Sequence, residues 1–212
     1  MSLHLYLLRH GETSASRTDQ FCGNLDPELT PEGTEMAQLF ADAYRDLEWA
    51  AAYVSPMSRT QATAKPFCDA VNLPMNLRDG LKEISYGDWE GLTREEVRDR
   101  FGEDYSRWET EPAWNAPTGG ETAVQVASRA SAVITEILKS HTDGNVLIVS
   151  HKATLRLILC NLLGIDLGRY RDRIAAPVAS VSVVRFGEYG PQLAQLGDRS
   201  HLSAELRSLP GT

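Results

Sequence analysis

Four side chains in this sequence have the types that phosphoryl-group chemistry requires: Arg9, His10, Arg59 and His151. A planar guanidinium group binds phosphate oxygens through paired hydrogen bonds. A neutral imidazole, whose reference pKa is about 6.5, can attack phosphorus and form a phosphohistidine. A carboxylic acid such as Glu83 can protonate the alkoxide that leaves. Because the arginines and the second histidine neutralise the transferring group, this chemistry requires neither a metal ion nor a cofactor.

These side chains follow three segments with the length and apolar character of β-strands. Residues 3–8 form a near-continuous apolar run, residues 51–55 a shorter one, and residues 146–149 the clearest strand in the chain. The carboxyl ends of parallel strands share one ligand-binding edge of a sheet, so we expect a local basic pocket there. The residues that follow the three strands are, in chain order, Arg9-His10, Ser55 with Arg59, and Ser150-His151.

Helical segments alternate with these strands. Thr30 and Pro31 have the types preferred at a helix start, and residues 93–96 form a capping-box pattern. The alternation predicts an α/β fold of three αβα layers, with a mostly parallel central sheet and helices on both faces. The prolines and paired glycines of residues 102–120 predict a loop. Further helices are predicted over residues 57–71, 122–140 and 152–163, and late strands over 178–186 and 192–196.

Composition narrows the class of protein. The chain has 212 residues, of which 42% are hydrophobic, and we expect one domain spanning residues 1–212. Its 21 basic and 29 acidic side chains give a net charge of −8, which argues against a nucleic-acid partner. No apolar run approaches the roughly 20 residues of a membrane span. With three scattered cysteines and no leader-like N-terminus, we expect a cytoplasmic protein without disulfides.

The motifs around these residues resemble those of the histidine phosphatase superfamily, the phosphoglycerate-mutase-like group. The resemblance covers nearly the whole chain, and its blocks occur in the family's order. It implies a phosphoglycerate-mutase-like fold and a phosphatase that acts on a small phosphorylated metabolite. The matching blocks are Arg9-His10-Gly11-Glu12-Thr13, then Ser55-Pro56-Met57-Ser58-Arg59, then the Glu83 to Gly91 loop, and finally Val149-Ser150-His151.

The resemblance also implies a division of labour among the residues. His10 is the nucleophile, and the carbonyl of Gly11 is expected to fix its tautomer. Arg9, Arg59 and His151 form the phosphate pocket, to which the helix start after His151 adds backbone N–H donors. Glu83 first donates a proton to the leaving group and then activates water.

Two positions depart from the family pattern. Ser16 stands where the family often has an asparagine that contacts phosphate, and Lys152 stands where it commonly has glycine. Lys152 either turns to solvent, the alternative that the sequence favours, or leans over the pocket mouth and attracts acidic substrates. Ser16, Lys152, Gly23 and Trp114 complete the predicted substrate-binding residues.

Two other functions remain open at this stage. A phosphoglycerate mutase would share the phosphohistidine step, but mutases that resemble this family carry a longer insertion before the last block. A non-catalytic phosphate-binding module would be expected to have lost one of the four basic residues, and none is lost. The sequence identifies neither the substrate nor the oligomeric state, for which a homodimer is the commonest outcome.

Overall fold

A computed structural model describes residues 2–209, and a six-stranded sheet lies at its centre. The strands are β1 (Leu3–Arg9), β2 (Trp49–Val54), β3 (Met75–Leu77), β4 (Gly144–Ser150), β5 (Val181–Gly187) and β6 (Gly190–Asp198). Their order across the sheet is β3-β2-β4-β1-β5-β6. The pairings β2–β3, β2–β4 and β1–β4 are parallel, whereas β1–β5 and β5–β6 are antiparallel. The sheet is thus mixed and predominantly parallel, as predicted.

The helices between the strands begin largely where the sequence predicts. Thr30 caps one by accepting a hydrogen bond from the N–H of Gly33, and Thr93 forms a capping box with Glu96. The helix that contains Pro66 continues past it to Val71. The helices are α1 (Ser14–Arg17), α2 (Pro31–Tyr44), α3 (Ser58–Val71), α4 (Arg94–Arg100), α5 (Gly102–Thr110), α6 (Ala123–Ser140), α7 (Lys152–Leu163), α8 (Tyr170–Arg173) and α9 (Ala204–Ser208).

Helices cover both faces of the sheet, which confirms the predicted three layers. On one face, Leu5 and Leu7 of β1 belong to a buried apolar cluster with residues of α6 and α7. On the other face, Leu8 packs in a cluster that includes Phe40 of α2 and Phe67 of α3. The side chains of β1 therefore divide between two cores, as expected for a strand that is buried on both faces. No helix within residues 2–209 is long and apolar enough to cross a membrane.

The predicted loop over residues 102–120 is wrong in its first half, which forms α5. Tyr105 and Trp108 lie three residues apart on one face of this helix, and both are buried. They pack with Phe21 and Trp89 in a small aromatic cluster beside the main cores. The burial of these rings stabilises a short, polar helix whose sequence carries no strong helical signal of its own.

Candidate active site

The carboxyl ends of β1, β2 and β4 meet at one edge of the sheet. Arg9 is paired in register with Ser150, and Val54 with Val149. The next residues continue this pairing, because the N–H of His10 donates to the carbonyl of Ser150 at 3.0 Å. The strand ends therefore bring His10, Ser55 and His151 together, as the sequence predicts.

His10 is held in a single tautomer. Its ring is buried, and Nδ1 lies 2.7 Å from the carbonyl oxygen of Gly11. Because a carbonyl oxygen can only accept a hydrogen bond, Nδ1 carries the proton and Nε2 keeps its lone pair. Burial, together with the charges of Arg59 and Arg9, holds the pKa of His10 well below its usual value. The ring is therefore neutral and nucleophilic at physiological pH.

Close packing fixes the backbone that bears His10. The N–H of Gly11 donates to the Thr63 hydroxyl at 2.9 Å. A Cβ on Gly11 would lie 2.4 Å from the carbonyl oxygen of Gly33, so no larger residue fits. The start of α2 thus packs directly against the loop that begins at His10.

Arg59 is nearly inaccessible to solvent and is oriented by several acceptors. Its Nη1 donates to the carbonyl of Leu25 at 2.6 Å and forms an ion pair with Asp26 at 3.2 Å. Its Nη2 donates to the carbonyl of Gly23 at 3.1 Å. The carbonyl group of Gly23 therefore helps to orient the guanidinium of Arg59. Gly23 is not among the residues that line the cavity, and its predicted contact with substrate stays a prediction.

His151 is fully buried beside Arg59 and is not among the residues that line the cavity, and its predicted part in the phosphate pocket stays a prediction. Its Nδ1 accepts a hydrogen bond from Nε of Arg59 at 3.2 Å. Its Nε2 therefore carries the proton, which it donates to the Ser55 hydroxyl at 2.8 Å. Burial and Arg59 keep the pKa of His151 well below its usual value, so the ring is neutral. The rings of His10 and His151 meet edge-on, with centroids 5.2 Å apart.

Arg9 is the second buried guanidinium beside His10. Its Nη1 donates to the carbonyl of Ala176 at 2.7 Å. Burial lowers the pKa of Arg9 to about 10, against the attraction of Glu83, which raises it. Arg9 therefore stays charged at neutral pH and lines the cavity with Arg59.

The Glu83 carboxyl lies at the N-terminus of α7. It accepts hydrogen bonds from the N–H groups of Ala153 and Thr154, each at 3.2 Å, and from the Thr154 hydroxyl at 3.2 Å. The sequence assigned these backbone donors to phosphate. In the structure they bind the carboxyl group of Glu83 instead. Glu83 is buried and lines the cavity with His10.

Arg129 of α6 holds the Glu83 loop, and sequence reasoning missed it. Its guanidinium donates to the carbonyls of Gly80, Lys82 and Glu83 at 2.8–3.0 Å. It also forms an ion pair with Glu121 at 2.9 Å. No local pattern indicates a clamp whose partners lie more than 40 residues away in the chain.

The cavity above these residues has a volume of about 450 Å³. Ser16 lines it, and its hydroxyl accepts a hydrogen bond from the N–H of Thr13 in a capping box and donates one to the carbonyl of Thr13. Lys152 lines it too, which corrects the favoured expectation that it faces solvent. Burial and Arg9 lower the pKa of Lys152 to about 8.

Trp114 does not line the cavity, and its predicted place there is wrong. It is 72% exposed in the turns after α5. Trp108, which lies within α5, lines the cavity instead. Sequence reasoning assigned residues 102–120 to a loop, so it had no helix face that would separate the two tryptophans.

Within residues 2–209, no group of three or more His, Cys, Asp or Glu side chains is arranged to hold a metal ion.

Comparisons with known proteins agree with this geometry. The family model of the histidine phosphatase superfamily (branch 1) matches residues 5–199. A phosphoserine phosphatase 1 from Hydrogenobacter thermophilus is 33% identical over 198 residues, which cover 93% of each chain. An acid phosphatase from Mycobacterium tuberculosis is 34% identical over 203 residues, again 93% of each chain.

A solved structure has the same fold over nearly its whole length. The protein YhfR from Bacillus stearothermophilus superposes with a TM-score of 0.88 at 29% identity. The match covers 95% of this chain and 100% of that one.

Proposed function

Because this chain belongs to the histidine phosphatase superfamily and is a phosphatase, we propose that it hydrolyses small phosphomonoesters through a phosphohistidine on His10. The hydrogen bond from Nδ1 of His10 to the Gly11 carbonyl carries the proposal. It leaves the lone pair of Nε2 as the only free nucleophilic position of a ring that burial keeps neutral.

In the first step, Nε2 of His10 attacks phosphorus and the ester P–O bond breaks. Arg9 and Arg59 stabilise the negative charge of the transferring phosphoryl group, so the proposed step uses no metal ion. His151 is assigned a supporting part, since its hydrogen bond holds Arg59 in place. The leaving oxygen takes a proton from the carboxyl group of Glu83.

In the second step, water attacks the phosphohistidine. Glu83, now a carboxylate, removes a proton from this water, and the P–N bond breaks to release inorganic phosphate. His10 returns to its neutral form and Glu83 to its acid form. Hydrogen bonds from Thr154 keep the carboxyl group in position through both steps.

The size of the cavity supports a small-metabolite substrate. A volume of about 450 Å³ lies at the lower end of the roughly 300–1,000 Å³ typical of small-molecule sites. Since one relative with 33% identity is named a phosphoserine phosphatase, phosphoserine is the first substrate to test.

The test measures phosphate release from phosphoserine, 3-phosphoglycerate and p-nitrophenyl phosphate, with and without a chelator. We expect phosphate release that the chelator does not change. In parallel, 2- and 3-phosphoglycerate are mixed with the enzyme and bisphosphoglycerate. Their interconversion without net phosphate release would favour a mutase over the proposed hydrolase.

A further inference from the structure

The cavity carries more positive charge than one phosphate group requires. Six cationic side chains line it, against four carboxylates, in a chain whose net charge is −8. Arg9 and Arg59 belong to the phosphate-binding end described above. The other cationic side chains in the lining are Arg94, Lys152, Arg156 and Arg171.

A single carboxylate, that of Asp19, forms ion pairs with two of these four cationic side chains. Asp19 forms an ion pair with Arg94 at 3.0 Å and lies 3.9 Å from Nζ of Lys152. Of the other three acidic side chains of the lining, Glu83 is bound at the N-terminus of α7, whereas Glu109 and Asp172 are exposed and contact other groups. Among residues 2–209, no carboxylate forms an ion pair with Arg156 or Arg171.

Nε1 of Trp108 lacks an acceptor among the described residues, and so do three donors of α7 and α8 in the cavity lining. They are Nε of Arg156, the hydroxyl of Tyr170 and Nε of Arg171, each buried from solvent. Tyr170 is itself only 1% exposed. A buried donor without an acceptor costs free energy, so such a cluster in a cavity wall indicates a missing acceptor.

The fold keeps the three donors close to one another. Arg156 lies one turn after Lys152 on α7, and Tyr170 and Arg171 begin α8, which packs against α7. The guanidinium of Arg171 lies 3.9 Å from the centre of the Trp108 ring, and its Nη2 donates to the Glu109 carbonyl at 2.7 Å. The ring and the carbonyl orient Arg171 without neutralising it.

We propose that Arg156, Tyr170 and Arg171 form a second anion-binding site, which takes a carboxylate or a second phosphate on the leaving alcohol. Guanidinium groups can only donate hydrogen bonds, the phenol can donate one through its O–H, and both anions accept several hydrogen bonds at once. The inference rests on the proposed phosphatase function and narrows its substrates to phosphomonoesters whose alcohol bears a second negative charge.

The experiment compares substrates that differ only in this group. Glycerol 1-phosphate has a hydroxymethyl group where 3-phosphoglycerate has a carboxylate and where glycerol 1,3-bisphosphate has a second phosphate ester. We expect kcat/KM for at least one of the two anionic substrates to exceed that for glycerol 1-phosphate by about tenfold or more. The larger of the two ratios identifies which anion the site takes.

Variants then test whether the named donors cause the preference. Arg156→Met and Arg171→Met are each expected to lower the anionic-to-neutral ratio of kcat/KM about tenfold. Tyr170→Phe keeps the ring and removes only the hydroxyl, so a fall of about threefold in the same ratio is expected even if an arginine variant folds poorly. Arg45→Met, at an exposed arginine outside the cavity, is the matched control and is expected to leave the ratio unchanged.

The outcomes separate the inference from the function on which it rests. If no phosphomonoester is hydrolysed, p-nitrophenyl phosphate included, the proposed function fails. If phosphate is released but both ratios are near one, the second site is refuted while the phosphatase stands. An anionic preference that survives all three variants would also refute the assignment, because other residues would then produce it.

Discussion

The imidazole of His10 sits between two buried guanidinium groups and a backbone carbonyl. Burial and the two positive charges disfavour the imidazolium, while the carbonyl fixes the remaining proton on Nδ1. The environment thus supplies both the protonation state and the tautomer that a nucleophile needs. The same neighbours attract the phosphate dianion, so substrate binding and nucleophile activation have a common cause.

Glu83→Gln tests the acid directly. The amide matches the carboxyl in shape but cannot supply a proton, so kcat/KM for an alkyl phosphate is expected to fall about 100-fold or more. p-Nitrophenyl phosphate has a good leaving group that needs little protonation, so its kcat/KM is expected to fall far less. Steady-state kinetics with both substrates provide the measurement.

Glu95→Gln is the control for this comparison, because Glu95 is exposed in the first turn of α4. It is expected to match the unmodified protein with both substrates. An equal loss for alkyl and aryl esters in Glu83→Gln would mean that Glu83 acts only by position and not as the acid.

At the residue level, the sequence predicted which residues meet at the strand ends better than it predicted the rest of the cavity lining. Arg9 and His10 follow a strand directly, so the rule for strand ends places them without any tertiary information. Trp108, Arg129 and Arg171 act through partners distant in sequence, and no local pattern encodes such contacts.

The N-terminus of α2 lies unusually close to the strand–loop junction after His10. A Cβ on Gly33 would lie 2.1 Å from the carbonyl oxygen and 2.8 Å from the nitrogen of Glu12. Gly33→Ala is therefore expected to destabilise the protein by about 1–3 kcal/mol, although alanine is intrinsically the better helix former. Urea unfolding at neutral pH measures the change.

Gly187→Ala is the matched control. Gly187 ends β5, is exposed, and has no atom within 4 Å of a built Cβ. Its replacement is expected to change the unfolding free energy by less than about 0.5 kcal/mol. A Gly33→Ala protein as stable as this control would show that the loop tolerates displacement and that the close approach is not required.

Helices with good caps were predicted well, and elements without local signals were not. Thr30, Thr93 and Thr122 each cap a helix that the sequence predicts. The three-residue strand β3 and the four-residue helix α1 are too short to show a period. Helix α5 forms because its rings pack on Phe21 and Trp89, which is a tertiary cause.

Acid sensitivity is a property of the whole molecule, and His201 contributes to it. Its ring packs near Phe40 and Tyr44, and burial lowers its pKa to about 4. The unfolded chain binds a proton at a pKa of about 6.5. Between these values the unfolded state binds more protons, so stability falls as pH falls from about 6.5 towards about 4.

His201→Phe removes this titration and retains an aromatic ring. Between pH 7 and pH 5, the unfolding free energy of the variant is expected to fall by about 1 kcal/mol less than that of the unmodified protein, after allowance for partial exposure. Urea unfolding at the two pH values tests this. Equal losses would show that His201 titrates alike in the folded and unfolded chains.

The α/β class was predictable from alternation alone, but the full sheet was not. The two antiparallel pairings place β5 beside β1 and β6 beside β5, and strand order depends on which edges the crossovers reach. The sequence predicted only some of the cationic side chains that line the cavity of this acidic protein. The sequence placed Arg9, His10 and Arg59 there, and the structure adds Arg94 of α4, Lys152 and Arg156 of α7 and Arg171 of α8.

Trapping the covalent intermediate tests the central claim most directly. Glu83→Gln is expected to accept phosphate from p-nitrophenyl phosphate but to lose it slowly, since no base activates water. With the ³²P-labelled substrate, we predict a protein-bound label that is labile in acid, stable in alkali and located at His10, and none in Glu83→Gln combined with His10→Ala. Turnover by His10→Ala within tenfold of the unmodified protein, or a label on another residue, would contradict the account.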